Sequence, residues 1–371
     1  MHPPPRIHHG PQVNAIESLR GIAALMVLIY HLAELVKLPL PETLGFIPKY
    51  FGLGVPLFYA LSGFVLAFGY ADRLYSRSQL LSFYTRRLFR IMPLFYSMLA
   101  IWLFLSWLVW NKTFSAEIIF LNLSFLFGLV PGQHESIVWA GWSIGIEMLF
   151  YLVFPIVALL VHDYRTALIG FVVTCILSNA TYGALMDAGL KSYAYMNLIN
   201  HLPYFLAGMA VYRIWQRLGF RRHAAGWILL CAALILALLF PTDKAHTLLG
   251  MVFSPLTLRF GWAIIFGMLI LSACLAANPL LEHGPLRNLG QISFSMYLLH
   301  PLLMVALIKA GFVPWVTAVT PNTGTAFALG LVITTFLVWA TSSLTFRFIE
   351  YPGINLGRRV SSRFKGNALP I

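Results

Sequence analysis

Apolar stretches of roughly 17 to 25 residues recur along the chain, the length a helix needs to cross a hydrocarbon core about 30 Å thick. Their approximate limits are 14–36, 51–70, 86–110, 139–161, 166–186, 197–214, 225–241, 258–277, 290–311 and 324–349. Short polar segments separate them. The pattern predicts an all-α integral membrane protein, a polytopic bundle of about ten transmembrane helices. One more apolar stretch, 117–130, is short and ends in Pro131-Gly132, which predicts a re-entrant or interfacial segment rather than a further span. Asn14 followed by Glu17 predicts a capping box at the start of the first helix.

The basic residues orient the bundle. With the N-terminus placed in the cytoplasm, the outer loops hold Lys37, Lys49, Lys112, Lys191, Lys244, Arg259 and Lys309, and the inner segments hold all the other Lys and Arg. Excess Lys and Arg on the cytoplasmic side is the usual asymmetry, so both termini are expected inside. The expected division is a cytoplasmic tail 1–13, a transmembrane domain 14–350 and a basic tail 351–371 lying on the inner leaflet. No small-residue cleavage site follows the first apolar run, which predicts a retained helix rather than a signal peptide. The expected location is the cell inner or plasma membrane.

Composition removes several function classes. The chain is 59% hydrophobic and 10% charged, whereas soluble chains are about 25% charged. The net charge of +13 is scattered between spans, which suits topology and attraction to anionic lipid or an anionic cofactor rather than nucleic acid. Cys175, Cys231 and Cys274 lie inside apolar runs without metal spacing and are expected to pack. No metal site is implied.

Polar groups inside apolar spans are the candidates for chemistry, because each is costly there. Arg20 and His31 are eleven residues apart, three turns of one helix, so they share a face with His31 about 16 Å deeper. His31 reads either as a functional group or as a hydrogen bond to a neighbouring helix. Glu34 is expected at the outer interface. Ser62-Gly63, within Pro56 to Phe64, reads as close helix packing. Arg86, Arg87 and Arg90 open the third helix as a topology anchor or as a clamp for phosphates. Ser143 and Glu147 share a helix face, where the carboxylate has a partner or is protonated. Ser293, Tyr297 and His300 form one polar stripe. Arg347 and Glu350 are spaced for an interfacial ion pair.

Taken in order, these segments resemble the acyltransferase-3 family of membrane-bound O-acyltransferases. Ser18-Leu19-Arg20-Gly21 through His31 is similar to its opening Arg-x10-His motif, and Phe58 through Phe64 to its Phe-x-x-Ser-Gly-Phe segment. Arg86 through Pro93 resembles its basic helix start, and Trp142-Ser143 to Glu147 its Trp-Ser-x-x-x-Glu motif. Tyr297 to His300 and Phe346 to Pro352 resemble its closing elements. The resemblance implies transfer of an acyl group, often acetyl, from cytoplasmic acyl-CoA to a hydroxyl of a saccharide or lipid-linked glycan. Acyl-CoA, acetyl-CoA first, is then a co-substrate, and no cofactor is bound permanently. His31 becomes the base or the acyl carrier. Arg20 orients it or holds the donor, and Arg86, Arg87 and Arg90 bind CoA phosphates. Glu147, Ser143 and His300 serve positioning or proton transfer. Without a fused esterase-like domain, the group passes directly to the acceptor or to a separate extracytoplasmic acceptor protein. A transporter or flippase of a lipid-linked glycan is the competing class; such proteins more often show repeats or discontinuous helices.

Overall fold

The computed structural model describes residues 11–219, 223–239, 257–276, 278–282 and 284–365. No strand occurs among them. The α-helices in chain order are α1 (Pro11–Glu34), α2 (Ile47–Tyr50), α3 (Gly54–Tyr70), α4 (Arg77–Trp110), α5 (Ala116–Leu123) and α6 (Trp142–Leu160). They continue with α7 (Tyr164–Asp187), α8 (Lys191–Tyr195), α9 (Leu198–Leu218), α10 (His223–Leu239), α11 (Thr257–Leu275) and α12 (Pro279–Glu282). The last five are α13 (Pro285–Gln291), α14 (Ser293–Lys309), α15 (Phe312–Val319), α16 (Thr323–Thr345) and α17 (Tyr351–Lys365).

Each expected apolar stretch coincides with a helix, but not every one is long or apolar enough to cross a membrane. Six described helices are, and the bent pair α13–α14 makes a seventh if taken as one span. The remaining expected spans fall on α10 and α11, which are shorter, and on α9, which carries Asn200, His201, Arg213 and Gln216. The outward side of α7 exposes Leu168, Ile169, Val172, Val173 and Ile176. An apolar surface of that extent suits lipid rather than water. The protein is a multi-pass membrane protein.

Four boundaries differ from the sequence expectation, each for a local reason. Helix α4 begins at Arg77, nine residues before Arg86, because Ser76 and Gln79 form a capping box. The arginine triplet therefore lies in the body of the helix. Helix α1 already runs from Pro11, so Asn14 is not a cap; its Oδ1 is buried without a partner, and Glu17 pairs with Arg287 at 3.4 Å. The stretch 290–311 is broken at Ile292, where α13 and α14 meet at 78°. The expected tail after residue 350 is helical: a π-turn, Phe346–Glu350, joins α16 to α17. Segment 117–130 holds the eight-residue α5 and a 3-10 turn, Leu126–Leu129, too short for a further span.

Small residues set the close crossings that hold the site together. A methyl on Gly63 would run into the Phe205 carbonyl, and one on Gly208 into the Ala60 carbonyl, so α3 and α9 touch backbone to backbone. Gly290 does the same against Glu17, locking α13 onto α1, where Ser18 also donates to the Leu281 carbonyl at 2.6 Å. Gly353 and Gly357 let α17 settle on Phe89 and Pro93 of α4. Stacked Phe150 and Phe205, 3.9 Å between centroids, fill the space between α6 and α9.

At one end of the bundle, Asp72 in the α3–α4 turn ties three elements together. Arg213 of α9 donates to its carboxylate at 2.8 Å and to the Val161 carbonyl at 3.1 Å, and Tyr212 and Gln216 also donate to Asp72. Burial raises the Asp72 carboxyl, but the Arg213 and Gln216 hydrogen bonds and the Arg213 charge outweigh it and hold it below its usual range. A depressed native value means that the stabilisation is present at neutral pH and is lost as pH falls through that value. Asp72→Asn is therefore expected to reduce the melting temperature modestly at pH 7, Asp72 being 46% exposed. The gap should begin to close below about pH 4, the usual Asp value being near 3.9, and vanish as pH falls past the depressed native value. A gap that stays constant down to pH 3 would deny this linkage.

Candidate active site

The Arg-x10-His face of α1 meets α3, α6 and α14 in the interior. Arg20 lines a narrow cavity of 30 Å³ with Phe58 and Tyr59 of α3, Ser143 and Glu147 of α6, and Ser293 and Tyr297 of α14. That volume admits a water or a single hydroxyl, not a sugar ring. The Arg20 guanidinium lies 5.8 Å over the Phe58 ring. Its Nε is buried without a hydrogen-bond partner among the described residues, and so is Ser293 Oγ. Buried polar atoms are ordinarily paired, so these two are set for a group that arrives from outside.

Glu147 is partnered by two hydroxyls on the same oxygen: Ser62 donates at 2.8 Å and Tyr151 at 2.5 Å. One turn earlier, Ser143 donates to Tyr297 Oη at 2.7 Å, and Tyr297 donates to the Ala140 carbonyl at 3.1 Å. The Ser62-Gly63 pair thus has two uses, hydrogen bonding to Glu147 and close packing.

His31 and His300 are in contact. His31 Nδ1 lies 2.9 Å from the Val27 carbonyl and 3.1 Å from His300 Nε2, and His300 Nδ1 lies 3.2 Å from the Met296 carbonyl. A carbonyl oxygen only accepts, so the network assigns the proton to Nδ1 of each ring. In that assignment the single His31 Nδ1 proton is shared between the Val27 carbonyl and His300 Nε2, and His31 Nε2 makes no hydrogen bond among the described residues. Such a fixed tautomer is what a general base requires. His300 is fully buried and His31 only partly, so the free nitrogen belongs to the more accessible ring. Tyr297 bridges the two parts of the site, 6.0 Å from the Phe58 ring and 5.7 Å from the His300 ring.

The three α4 arginines have separate surroundings. Arg86 donates to Ser361 Oγ of α17 at 2.9 Å. Arg87 donates to Tyr70 Oη at 3.1 Å and lies over the Tyr70 and Tyr151 rings. Arg90 lies within electrostatic reach of Arg20 and Glu350. The expected Arg347–Glu350 ion pair does not form. The π-turn carries Glu350 inward, where it is 1% exposed and accepts from Ser295 at 2.8 Å, and Arg347 lies over the Phe348 ring. Glu34 does sit at an exposed end, paired with Lys37 at 3.2 Å.

Sequence reading overlooked Ser62 as a hydrogen-bond donor, Tyr151, Tyr70, Ser295 and the inward Glu350. Only Tyr151 carried a usable signal, four residues after Glu147 on the same face. No group of three or more metal-ligating side chains occurs among the described residues.

Comparison with known proteins places this arrangement. The model of the acyltransferase-3 family, described as an acyltransferase domain, matches residues 13–343. The chain is 30% identical over 304 residues to a protein of the Acidianus two-tailed virus named "Putative acetyltransferase ORF330", covering 79% of this chain and 83% of that one. It is 26% identical to "Putative peptidoglycan O-acetyltransferase YrhL" of Bacillus subtilis, covering 96% of this chain but 57% of that longer protein. It is 25% identical to the exopolysaccharide production protein ExoZ of Rhizobium meliloti, covering 85% and 94% of the two chains. No solved structure matches. A half-buried Arg-x10-His face, a Ser143–Glu147 turn facing it and a family match over most of the length agree: the chain belongs to the acyltransferase-3 family of acyltransferases.

Proposed function

We propose that this protein moves an acyl group, acetyl first, from acyl-CoA to a hydroxyl of a saccharide or lipid-linked glycan, across or at the cell membrane. The observation that carries the reading is the contact of His31 Nδ1 with the Val27 carbonyl and His300, which leaves His31 Nε2 without a hydrogen bond among the described residues. Two of the relatives are named for O-acetyltransfer to peptidoglycan and for exopolysaccharide production, which supports the acceptor class.

In this mechanism His31 Nε2 takes the acceptor hydroxyl proton as its oxygen attacks the thioester carbon. A C–O bond forms, the C–S bond breaks, and the proton on His31 passes to the leaving thiolate to give free CoA. His300 steadies the imidazolium through Nδ1. Arg20 and the α4 arginines Arg86, Arg87 and Arg90 are assigned to the donor, where guanidinium forks suit phosphate oxygens. Both termini lie in the cytoplasm on this reading, with the arginines facing the donor side. The acceptor either enters directly or belongs to a separate extracytoplasmic protein.

The test is purified protein in liposomes with radiolabelled acetyl-CoA and a panel of oligosaccharides. Base-labile label on a saccharide, with one CoA released per acetyl, is the expected result. Arg90→Gln is expected to raise KM for acetyl-CoA by roughly tenfold, the loss of one charge-assisted contact. A folded protein that binds no acyl-CoA, or that moves a glycan across the bilayer without acylating it, would replace this reading with the transporter.

A further inference from the structure

A second, larger cleft lies beyond the narrow cavity, and no step above uses it. It encloses 590 Å³ between the C-terminal end of α4 and the loop before α6, within the roughly 300–1,000 Å³ of small-ligand sites. Its walls are aromatic with a charged rim: Trp102, Trp110, Trp139 and Trp142, with Lys112 and Glu135. The Trp102 ring stacks within 18° of both Trp139, at 5.4 Å, and Trp110, at 6.4 Å. Tryptophans at a membrane interface ordinarily ring the outside of a bundle. Here Trp102 is 1% exposed, and its indole N–H is buried with no acceptor among the described residues. Trp139, by contrast, is 42% exposed.

The lining loop is held in a conformation the chain does not adopt freely. Ser136 and Ala140 have φ of 72° and 63°, the left-handed region that side chains avoid. Asn122 Oδ1, buried in α5, accepts from Ser136 Oγ at 2.7 Å and from the Ile137 amide at 3.0 Å, which fixes the turn. Strain maintained this way is concentrated at functional sites. The same loop leads to the reaction centre. Ala140 lines the cleft and its carbonyl accepts from Tyr297, which is 5.7 Å from the His300 ring, itself bonded to His31. Along α4, Trp102 is twelve residues beyond Arg90, about 18 Å of helix. The cleft therefore lies well along the helix from the arginines assigned to the donor.

We infer that this tryptophan cleft is the acceptor subsite and takes one or two pyranose rings of a saccharide. Flat indole faces match the C–H face of a sugar ring, the aromatic face being the electron-rich side. Lys112 and Glu135 suit ring hydroxyls. The role as acceptor subsite rests on the acyl-transfer reading; saccharide binding itself does not.

The test is binding of chitotetraose and, separately, cellotetraose to the purified protein in nanodiscs, followed by saturation-transfer NMR and titration. Trp139→Ala is expected to raise Kd by roughly tenfold or more, as loss of a central aromatic contact does, and Trp139→Phe to recover most of it. Trp315→Ala, an exposed tryptophan on α15 away from the cleft, should bind as wild type and controls for folding. His31→Ala should keep its saccharide affinity while losing transfer. Equal binding by wild type and Trp139→Ala, or no binding of either saccharide by folded wild type, overturns the cleft assignment. If saccharide binds at the cleft but no acetyl is transferred, the cleft stands and the enzymatic reading fails. If acetyl is transferred and Trp139→Ala binds normally, the reverse holds.

Discussion

His31→Ala is expected to lower kcat for acyl transfer by roughly 10²- to 10⁴-fold, the contribution of a positioned general base. The effect should fall on kcat rather than on the KM for either substrate, because His31 contacts the proton in flight and not the donor phosphates. Folding should survive, since the ring is only partly buried and alanine keeps the helix. His300→Ala should do less. It removes the acceptor of one His31 bond, but the Val27 carbonyl at 2.9 Å still holds the proton on Nδ1. A loss of roughly tenfold fits a supporting residue that orients another. Steady-state kinetics on the two variants in the same liposomes gives the comparison. If His300→Ala were the more damaging, the two roles would have to be exchanged.

Glu147→Ala is expected to be the most destabilising change in the site, about 3 kcal/mol, the low end for breaking a charge network in the interior. The low end applies because Glu147 lines a cavity and is only half-buried. Removing the carboxylate strips Ser62 and Tyr151 of their shared acceptor. It also removes a negative charge within electrostatic reach of Arg20, and Arg87 lies over the Tyr151 ring. Glu147→Gln keeps an oxygen for the hydroxyls and loses only the charge, so its melting temperature should lie between alanine and wild type. Thermal unfolding in detergent, read by intrinsic fluorescence, measures both. Unchanged melting of Glu147→Ala would mean that the cluster contributes nothing to the fold.

Much of this architecture was legible because hydrocarbon leaves few options. A helix that stays apolar for a membrane's thickness makes each interruption conspicuous, and so Arg20, His31, Glu147 and His300 stood out. Their partners did not. His31 and His300 are 269 residues apart, and no spacing rule joins residues on separate helices. Ser62 looked like packing because a Ser-Gly pair serves helix contact equally well. Helix ends were misplaced where hydropathy and capping disagree. The polar first turns of α4 lowered the apolar signal, although Ser76 and Gln79 were there to be read. The break at Ile292 falls at the very start of the apolar run 290–311, so that run consists almost wholly of α14 and hydropathy does not register the short, more polar α13 before it. The expected tail from residue 351 is helical despite Pro352, because a proline near the start of a helix gives up an amide that has no partner in any case. Glu350 was turned inward by a π-turn, a single-turn feature frequent at functional sites and invisible to a 3.6-residue period.

The stacked tryptophans illustrate the same boundary between pattern and shape. Trp102 and Trp110 belong to α4, Trp139 to the loop before α6 and Trp142 to the first residue of α6, and no spacing rule joins them. Their convergence on one cleft depends on the left-handed Ser136 and Ala140, which only the folded loop displays.

The most direct measurement is acetyl transfer from radiolabelled acetyl-CoA to oligosaccharide by wild type and His31→Ala, reconstituted side by side with acyl-CoA binding matched. Transfer by wild type, with the variant binding donor but transferring at least about a hundredfold more slowly, is the result expected for an acyltransferase whose base is His31. Transfer at the wild-type rate by His31→Ala would contradict it.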